Sequence, residues 1–145
     1  MSGKSKYIEG LQNLGLGTGD TVLVHSSLIE FNWKEYGGME EFVRIVFDSL
    51  REVVGETGTL MFPVFNFSFS NDSPEGYWSL DETKSDMGVL TEYVRHHEDS
   101  VQTVHPFYSF AIVGDKAGQM GKIHSRDTCS EEYIFGEVHS QNAQI

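Results

Sequence analysis

The sequence predicts an α/β fold, three layers α/β/α around a mixed sheet, in a single domain covering residues 1–145. Three observations predict it. Segments with apolar residues at helical spacing alternate with short β-branched apolar runs, the signature of helices laid on a sheet. The β runs are apolar throughout, as strands buried on both faces are. The length suits one hydrophobic core and no more.

Each element can be justified in order. In "SKYIEGLQNLG", Tyr7, Ile8, Leu11 and Leu14 fall on one helical face, and Gly15 supplies the stop. "GLGTGD" turns the chain into "TVLVHSS", a buried strand over residues 21–27. That glycine-rich piece is not a dinucleotide fingerprint, because it precedes the strand, whereas a phosphate-cradling loop lies between strand and helix. The strongest helix is "MEEFVRIVFDSLREVVG", with Phe42, Ile45, Val46, Leu50 and Val53 on one face and Gly55 closing it. "TLMFPVF" is a second buried strand. Asn66 to Asp86 is a polar and aromatic loop, longer than a connector requires and therefore a functional candidate. "MGVLTEYVRHHE" is a further core helix, and "VQTVHPFYSFAIVG" gives two short strands broken at Pro106. "DKAGQMGKIH" permits a short helix, and "SRDTCSEEYIFGEVHSQNAQI" is weakly patterned.

Composition excludes some classes of function. Twenty-two acidic residues against 10 basic ones give a formal charge of −12, which repels nucleic acid and anionic membrane surfaces, so neither is expected as a partner. A cationic small molecule suits that field if the acids line a cleft; solubility is the plainer account. No stretch has the apolar length needed to span a bilayer, and "MSGKSKYIEG" shows no apolar signal region. Cys129 is the single cysteine and cannot form an internal disulfide, which fits a cytoplasmic location.

Among residues able to carry chemistry, His25, Ser26 and Ser27 close the first strand run, at the sheet edge where open α/β sheets bind ligands. Their hydroxyls suit an amide- or phosphate-bearing ligand, or equally a Ser-Ser turn that caps the strand. Gly37 and Gly38 precede the long helix, whose free N–H groups could hold an anion, a weak signal. His105 stands before Pro106 at a strand break, held off the ladder and free to face a cleft as a general base, or buried as a structural histidine. His96 and His97 sit in a charged helical run and read as solvated. His124 and His139 have no partner at ligand spacing, so no metal is expected. Glu131 and Glu132 would raise rather than lower the Cys129 thiol, which reads as structural. Asp72, Asp81, Glu82 and Asp86 cluster in the long loop, where they would attract an amine or merely solvate the chain.

Four stretches taken together are more specific: "LGLGTGDTVLVHSSL", "VVGETGTLMFPVF", "SDMGVLTEYVR" and "HPFYSFAIVG". In order and spacing they resemble the aminoglycoside 3-N-acetyltransferase family, from about Leu11 to the end of the chain. The resemblance implies acetyl-coenzyme A as donor and an amino group of an aminosugar as acceptor, as in antibiotic resistance. It implies that His25, Ser26, Ser27 and Leu28 lie along the pantetheine arm of the donor and that Thr103, Val104, Ser109 and Phe110 flank the thioester. It makes His105 the catalytic histidine, removing the amine proton as nitrogen attacks the thioester, and places Phe65 and Asp86 near the acceptor. Hydroxyl or backbone N–H groups near Ser27 would then stabilise the tetrahedral oxyanion.

The sequence also departs from the family's pattern. Family members continue well past the point where this chain stops, which marks it as the amino-terminal part, with an unpaired sheet edge and self-association expected after "NAQI". Gln102 stands where the family has arginine, loosening contact with the donor's phosphates. "SEEYIFGEVHSQNAQI" is more similar to members found among cell-surface sugar biosynthesis enzymes, so the acceptor need not be an antibiotic. Two functions of different class follow: an N-acetyltransferase, or a coenzyme A-binding or assembly module without the acceptor half that catalyses nothing.

Overall fold

A computed structural model describes residues 3–67, 78–124, 127 and 130–145. The elements run α1 (Gly3–Asn13), β1 (Thr21–Leu23), α2 (Met39–Val54), β2 (Thr59–Phe65), α3 (Val89–Arg95), β3 (Val101–Gln102), β4 (Tyr108–Gly114), α4 (Ala117–Met120) and α5 (Ile134–Ser140), with a short 3-10 turn at Trp33–Tyr36. The strands form one sheet in the order β1-β2-β4-β3. β1 and β2 are parallel, while β4 runs antiparallel to both β2 and β3. The sheet is therefore mixed, as expected.

Period-two alternation along β2 builds two cores. Leu60, Phe62 and Val64 face one side with Val22, Ala111 and Val113, against Phe42, Phe47, Leu50 and Val54 of α2 and Leu90 and Val94 of α3. Tyr7 and Leu11 of α1 close over the same side. Met61 and Phe65 face the other side with Leu23, Phe110 and Ile112, against Ala117 and Met120 of α4 and Ile134 and Val138 of α5. Helices thus cover both faces, the three-layer architecture the sequence predicts, and every residue of β2 is buried.

The second helical layer is where sequence and structure differ most. Residues 134–140 form a helix although their pattern is weak, because only Ile134 and Val138 of it are buried and Tyr133 precedes it. β1 is also shorter than expected, three residues instead of seven. The Thr59 N–H donates to the Asp20 carbonyl and the Val24 N–H to the Met61 carbonyl, so the odd residues of β2 present their backbone to β1. The next donor in that ladder would be residue 63, a proline with no N–H. The chain is released after Val24.

The outer edge of β1 is met by the chain's own end. The Leu23 N–H donates to the Gln144 carbonyl and the Gln144 N–H to the Thr21 carbonyl, a single parallel bridge. Of the residues singled out above, Asp72 and Cys129 lie outside the described residues. No helix among the described residues is long and apolar enough to cross a membrane.

At the opposite end of the sheet, β4 finishes on Gly114, whose φ of 118° favours glycine, and a Cβ there would stand 2.1 Å from the Gly58 carbonyl oxygen. Gly114→Ala should lose about 1–3 kcal/mol to overpacking, with roughly 1–2 kcal/mol more from the left-handed backbone. Urea unfolding checks this, and an unchanged midpoint would mean the strand end relaxes without cost.

Candidate functional site

Because β4 opposes β2 and β3 opposes β4, the carboxyl ends of β1, β2 and β3 and the amino end of β4 share one end of the sheet. The segments 24–28, 65–67 and 103–108 all leave the sheet there. Every residue singled out for donor, acceptor or catalysis in those segments is therefore brought to one end, although their numbers range from 25 to 105.

Within that end they separate into three groups. Ser26, Ser27, Leu28 and Ile29 line one wall of a cleft of about 320 Å³, and Asp86 through Leu90 line the other. Ser26 and Ser27 are exposed, while Leu28 is buried and anchors the wall in the core. His25 borders a different groove, with Leu11, Leu14, Val24 and the terminal Gln144 and Ile145. The third group surrounds His105, which is absent from the lining of both cavities.

Asp86 connects the cleft to the end of β2. Its N–H donates to the Phe65 carbonyl, on the side of β2 that a longer β1 would have covered, and its Oδ2 accepts the Phe67 N–H at 2.6 Å. Asn66 Nδ2 donates to the Lys84 carbonyl at 2.7 Å. The segment before Asp86 is clamped by Arg95, whose side chain is 2% exposed and pairs with Glu92 through two nitrogens at 3.0 Å. Arg95 Nη1 also donates to the carbonyls of Leu80 and Asp81, and Glu92 accepts the Ser85 N–H at 2.6 Å. Burial pushes the Glu92 carboxyl up, but the Arg95 guanidinium and the Ser85 N–H outweigh it and hold the carboxyl below the usual carboxylate range.

Around His105 the polar groups are buried and satisfied. The imidazole Nδ1 accepts the N–H groups of Phe107 at 3.1 Å and Tyr108 at 3.0 Å. The ring packs 5.3 Å from Tyr133 and 5.9 Å from Tyr108, centroid to centroid, and burial holds its pKa below the ordinary histidine value. The Tyr133 hydroxyl donates to the Tyr108 carbonyl at 2.6 Å. Burial pushes that phenol up to about 12, against an opposing hydrogen bond from Thr103. Thr103 Oγ1 accepts the Phe110 N–H, and Ser109 Oγ donates to the Val64 carbonyl.

Thr103, Ser109 and Phe110 are buried at 0–2% exposure, so here they form the frame of the site, whereas Val104 stands 47% exposed at its surface. Phe65 lies in the second core with its ring edge toward Tyr108 and Phe110 at 5.1 and 5.3 Å. Gln102 donates to the Arg95 carbonyl. Gly37 and Gly38 turn the chain from the 3-10 turn into α2, and Glu40 and Glu41 in the first turn oppose an anion there. His97 is not fully solvated, since its ring stacks 4.8 Å from Phe47. No three His, Cys, Asp or Glu side chains among the described residues are grouped to hold a metal.

Sequence reasoning missed Tyr133 and Arg95. A tyrosine ahead of a weak amphipathic run and an arginine paired at i, i+3 with glutamate are common surface patterns, and nothing local marks either as buried.

The profile of the aminoglycoside 3-N-acetyltransferase family matches residues 23–145, nearly all of this arrangement. The chain belongs to that family. One relative is the SPbeta prophage-derived aminoglycoside N(3')-acetyltransferase-like protein YokD of Bacillus subtilis, 31% identical over 98% of this chain and 58% of its own length. The crystal structure of YokD superposes with a TM-score of 0.79 over 94% of this chain and 60% of that one, at 27% identity. Aminoglycoside N(3)-acetyltransferase VII of Streptomyces paromomycinus is 31% identical over 86% of this chain and 47% of its own length. AAC-IIIb, solved as a binary complex with CoASH, shares the fold at a TM-score of 0.73 and 20% identity, over 94% of this chain and 55% of that one. The chain spans about half the length of these relatives.

Two predictions follow from the buried polar groups. Arg95→Leu takes the guanidinium from Glu92, which keeps only the Ser85 N–H and some solvent, and leaves two carbonyls without this donor, so it should cost about 3 kcal/mol, the low end for a broken buried pair. Hydrogen exchange should quicken at the Asp86 N–H; protection as in the wild type would mean the segment is held by other contacts. Tyr133 is a group whose folded pKa is raised, so its contribution to stability is complete below the ordinary tyrosine value of 10.0 and is lost as pH rises through about 12. Alkaline denaturation scans should show that loss in the wild type and a shallower one in Tyr133→Phe.

Proposed function

We propose that this chain takes part in acetyl-CoA-dependent transfer of an acetyl group to an amino group of an aminosugar, in the cytoplasm. The observation that carries the reading is the convergence at one sheet end of the Ser26–Leu28 wall, the Asp86 wall and the buried His105 turn. Family membership supports acetyl transfer as the reaction class, and the CoASH complex of AAC-IIIb supports coenzyme A as the donor.

On this reading the exposed Ser26 and Ser27 hydroxyls bind the amides of the pantetheine arm. Leu28 stiffens that wall from the core, and Val104 is the surface residue nearest in sequence to His105. Phe65 and Asp86 form the acceptor side, where a carboxylate attracts an amine, and the net charge of −12 favours a polycationic aminosugar over an anionic ligand. In the reaction the amine nitrogen attacks the thioester carbonyl carbon, the C–S bond breaks, coenzyme A leaves as its thiol and the nitrogen gives up one proton. His105 is the proposed catalytic residue.

A second reading is favoured by one fact, the coverage of only about half of each relative: a coenzyme A-binding module that transfers nothing by itself. Release of free thiol from acetyl-CoA in the presence of a panel of aminosugars separates the two. If transfer occurs, His105→Ala should lower kcat about 10²–10³-fold, the loss typical of one group acting on the transition state, while donor affinity changes little. Thiol release undiminished in His105→Ala would remove the histidine from the mechanism. Donor binding without release of free thiol in the presence of any acceptor would favour the module.

A further inference from the structure

The carboxyl end of β2 holds the cleft wall that carries Asp86, and it does so largely through side chains. Phe65, Asn66 and Phe67 each bind one group of the segment 84–86. The Phe65 carbonyl accepts the Asp86 N–H at 2.9 Å, and the Phe67 N–H donates to Asp86 Oδ2 at 2.6 Å. Between them, Asn66 Nδ2 donates to the Lys84 carbonyl at 2.7 Å. In a strand ladder the Phe67 N–H would meet a backbone carbonyl, and here a carboxylate oxygen takes that place. The Asn66 amide is likewise a donor that the backbone does not supply. Asn66 is 6% exposed, and its own N–H donates to the Phe107 carbonyl on the opposite flank of β2. Its orientation follows from its partner: a carbonyl only accepts, so the side chain must present nitrogen, not oxygen, to Lys84.

We propose that Asn66 is a positioning residue: its buried amide grips the chain two residues before Asp86 and so fixes the Asp86 carboxylate in the cleft wall, where it receives the amine of an aminosugar. The last clause rests on the acetyltransferase reading; the rest does not. Asp86 is exposed and lines the cleft opposite Ser26 and Ser27. A side chain so placed keeps one direction only if the backbone beneath it is held at more than one point. The Asp86 N–H supplies one point on β2 and Asn66 a second. Glu92 and Arg95 tie the same segment to α3, at Ser85 and at Leu80 and Asp81. Asn66 is thus the side chain that joins the wall to the sheet. Without it the Lys84 carbonyl loses a buried donor, the backbone can turn about the Asp86 N–H, and the Phe67 N–H loses its short bond to the carboxylate. Asn66 does not line the cleft itself, so it acts on a ligand there through Asp86.

The test has two arms on the full chain. The first is NMR without ligand at neutral pH. Wild type should show scalar coupling across the hydrogen bond from Asn66 Nδ2 to the Lys84 carbonyl carbon, and its absence overturns the proposal before any variant is made. The Phe67 amide proton should lie downfield, as a short bond to a carboxylate requires, and move upfield in Asp86→Ala. Asn66→Ala should move it the same way. Asn66→Asp, which keeps the shape but cannot donate at neutral pH, is read in the same manner where alanine does not fold. A Phe67 amide unmoved in a folded Asn66 variant overturns the positioning role. The second arm is affinity for glucosamine, the probe amine, by shift titration in wild type, Asp86→Asn, Asn66→Ala and the double variant. Asp86→Asn removes the charge but keeps an oxygen for Phe67, and should weaken binding about two- to fivefold, the value of an exposed ion pair. Asn66→Ala should weaken it too, and the double variant should bind no worse than Asp86→Asn, because both act through one carboxylate. Losses that multiply in the double variant overturn the route through Asp86. Glucosamine affinity indifferent to Asp86→Asn, with the first arm as expected, would uphold the positioning and sink the assignment of the amine.

Discussion

Pro63 lies in a fully buried central strand, where a residue without an N–H ends any ladder that needs one. The antiparallel partner β4 is unaffected, because the odd residues of β2 turn their backbone toward β1. On that other side the parallel ladder stops at Val24, and β2 runs on to Phe65 with its flank uncovered. The opening is then occupied by chain from elsewhere: Asp86 donates to the Phe65 carbonyl, and the segment after β1 is free to turn outward as the exposed Ser26 and Ser27. The cleft between residues 26–29 and 86–90 is the space left between two segments that no longer pair. A missing hydrogen in one strand thus creates a wall on either side of it.

What keeps so polar a strand end stable is that its buried groups have partners. Thr103, Ser109, Tyr133 and His105 each engage a backbone N–H or carbonyl of the same sheet end, so the frame carries little unmet polarity. Arg95 plays the corresponding part for the loop, joining two carbonyls to the Glu92 carboxylate, which also accepts the Ser85 N–H. Such contacts add modestly to stability when made and cost much more when one partner is lost, which gives them a specifying role beyond their net energy. They fix the positions of groups that a ligand would meet.

By itself the sequence determined the fold class, the two buried strands, the core helices and the family, because these depend on periodicity and on motif order, which are local and additive along the chain. It also brought out His105 and Ser26–Ser27, since a His-Pro step and a polar pair at the end of an apolar run are local anomalies. Only the tertiary structure decided that Tyr133 lies against His105, that Arg95 is buried, that His97 stacks on Phe47, and that Asp86 takes up the Phe65 carbonyl. It also decided that Ser109 and Phe110 are buried. The physical reason is common to all of these. Burial and hydrogen-bond partnership arise between residues far apart in the chain, 25 positions for Tyr133 and Tyr108 and 45 for Ser109 and Val64, and no local pattern encodes such a pairing.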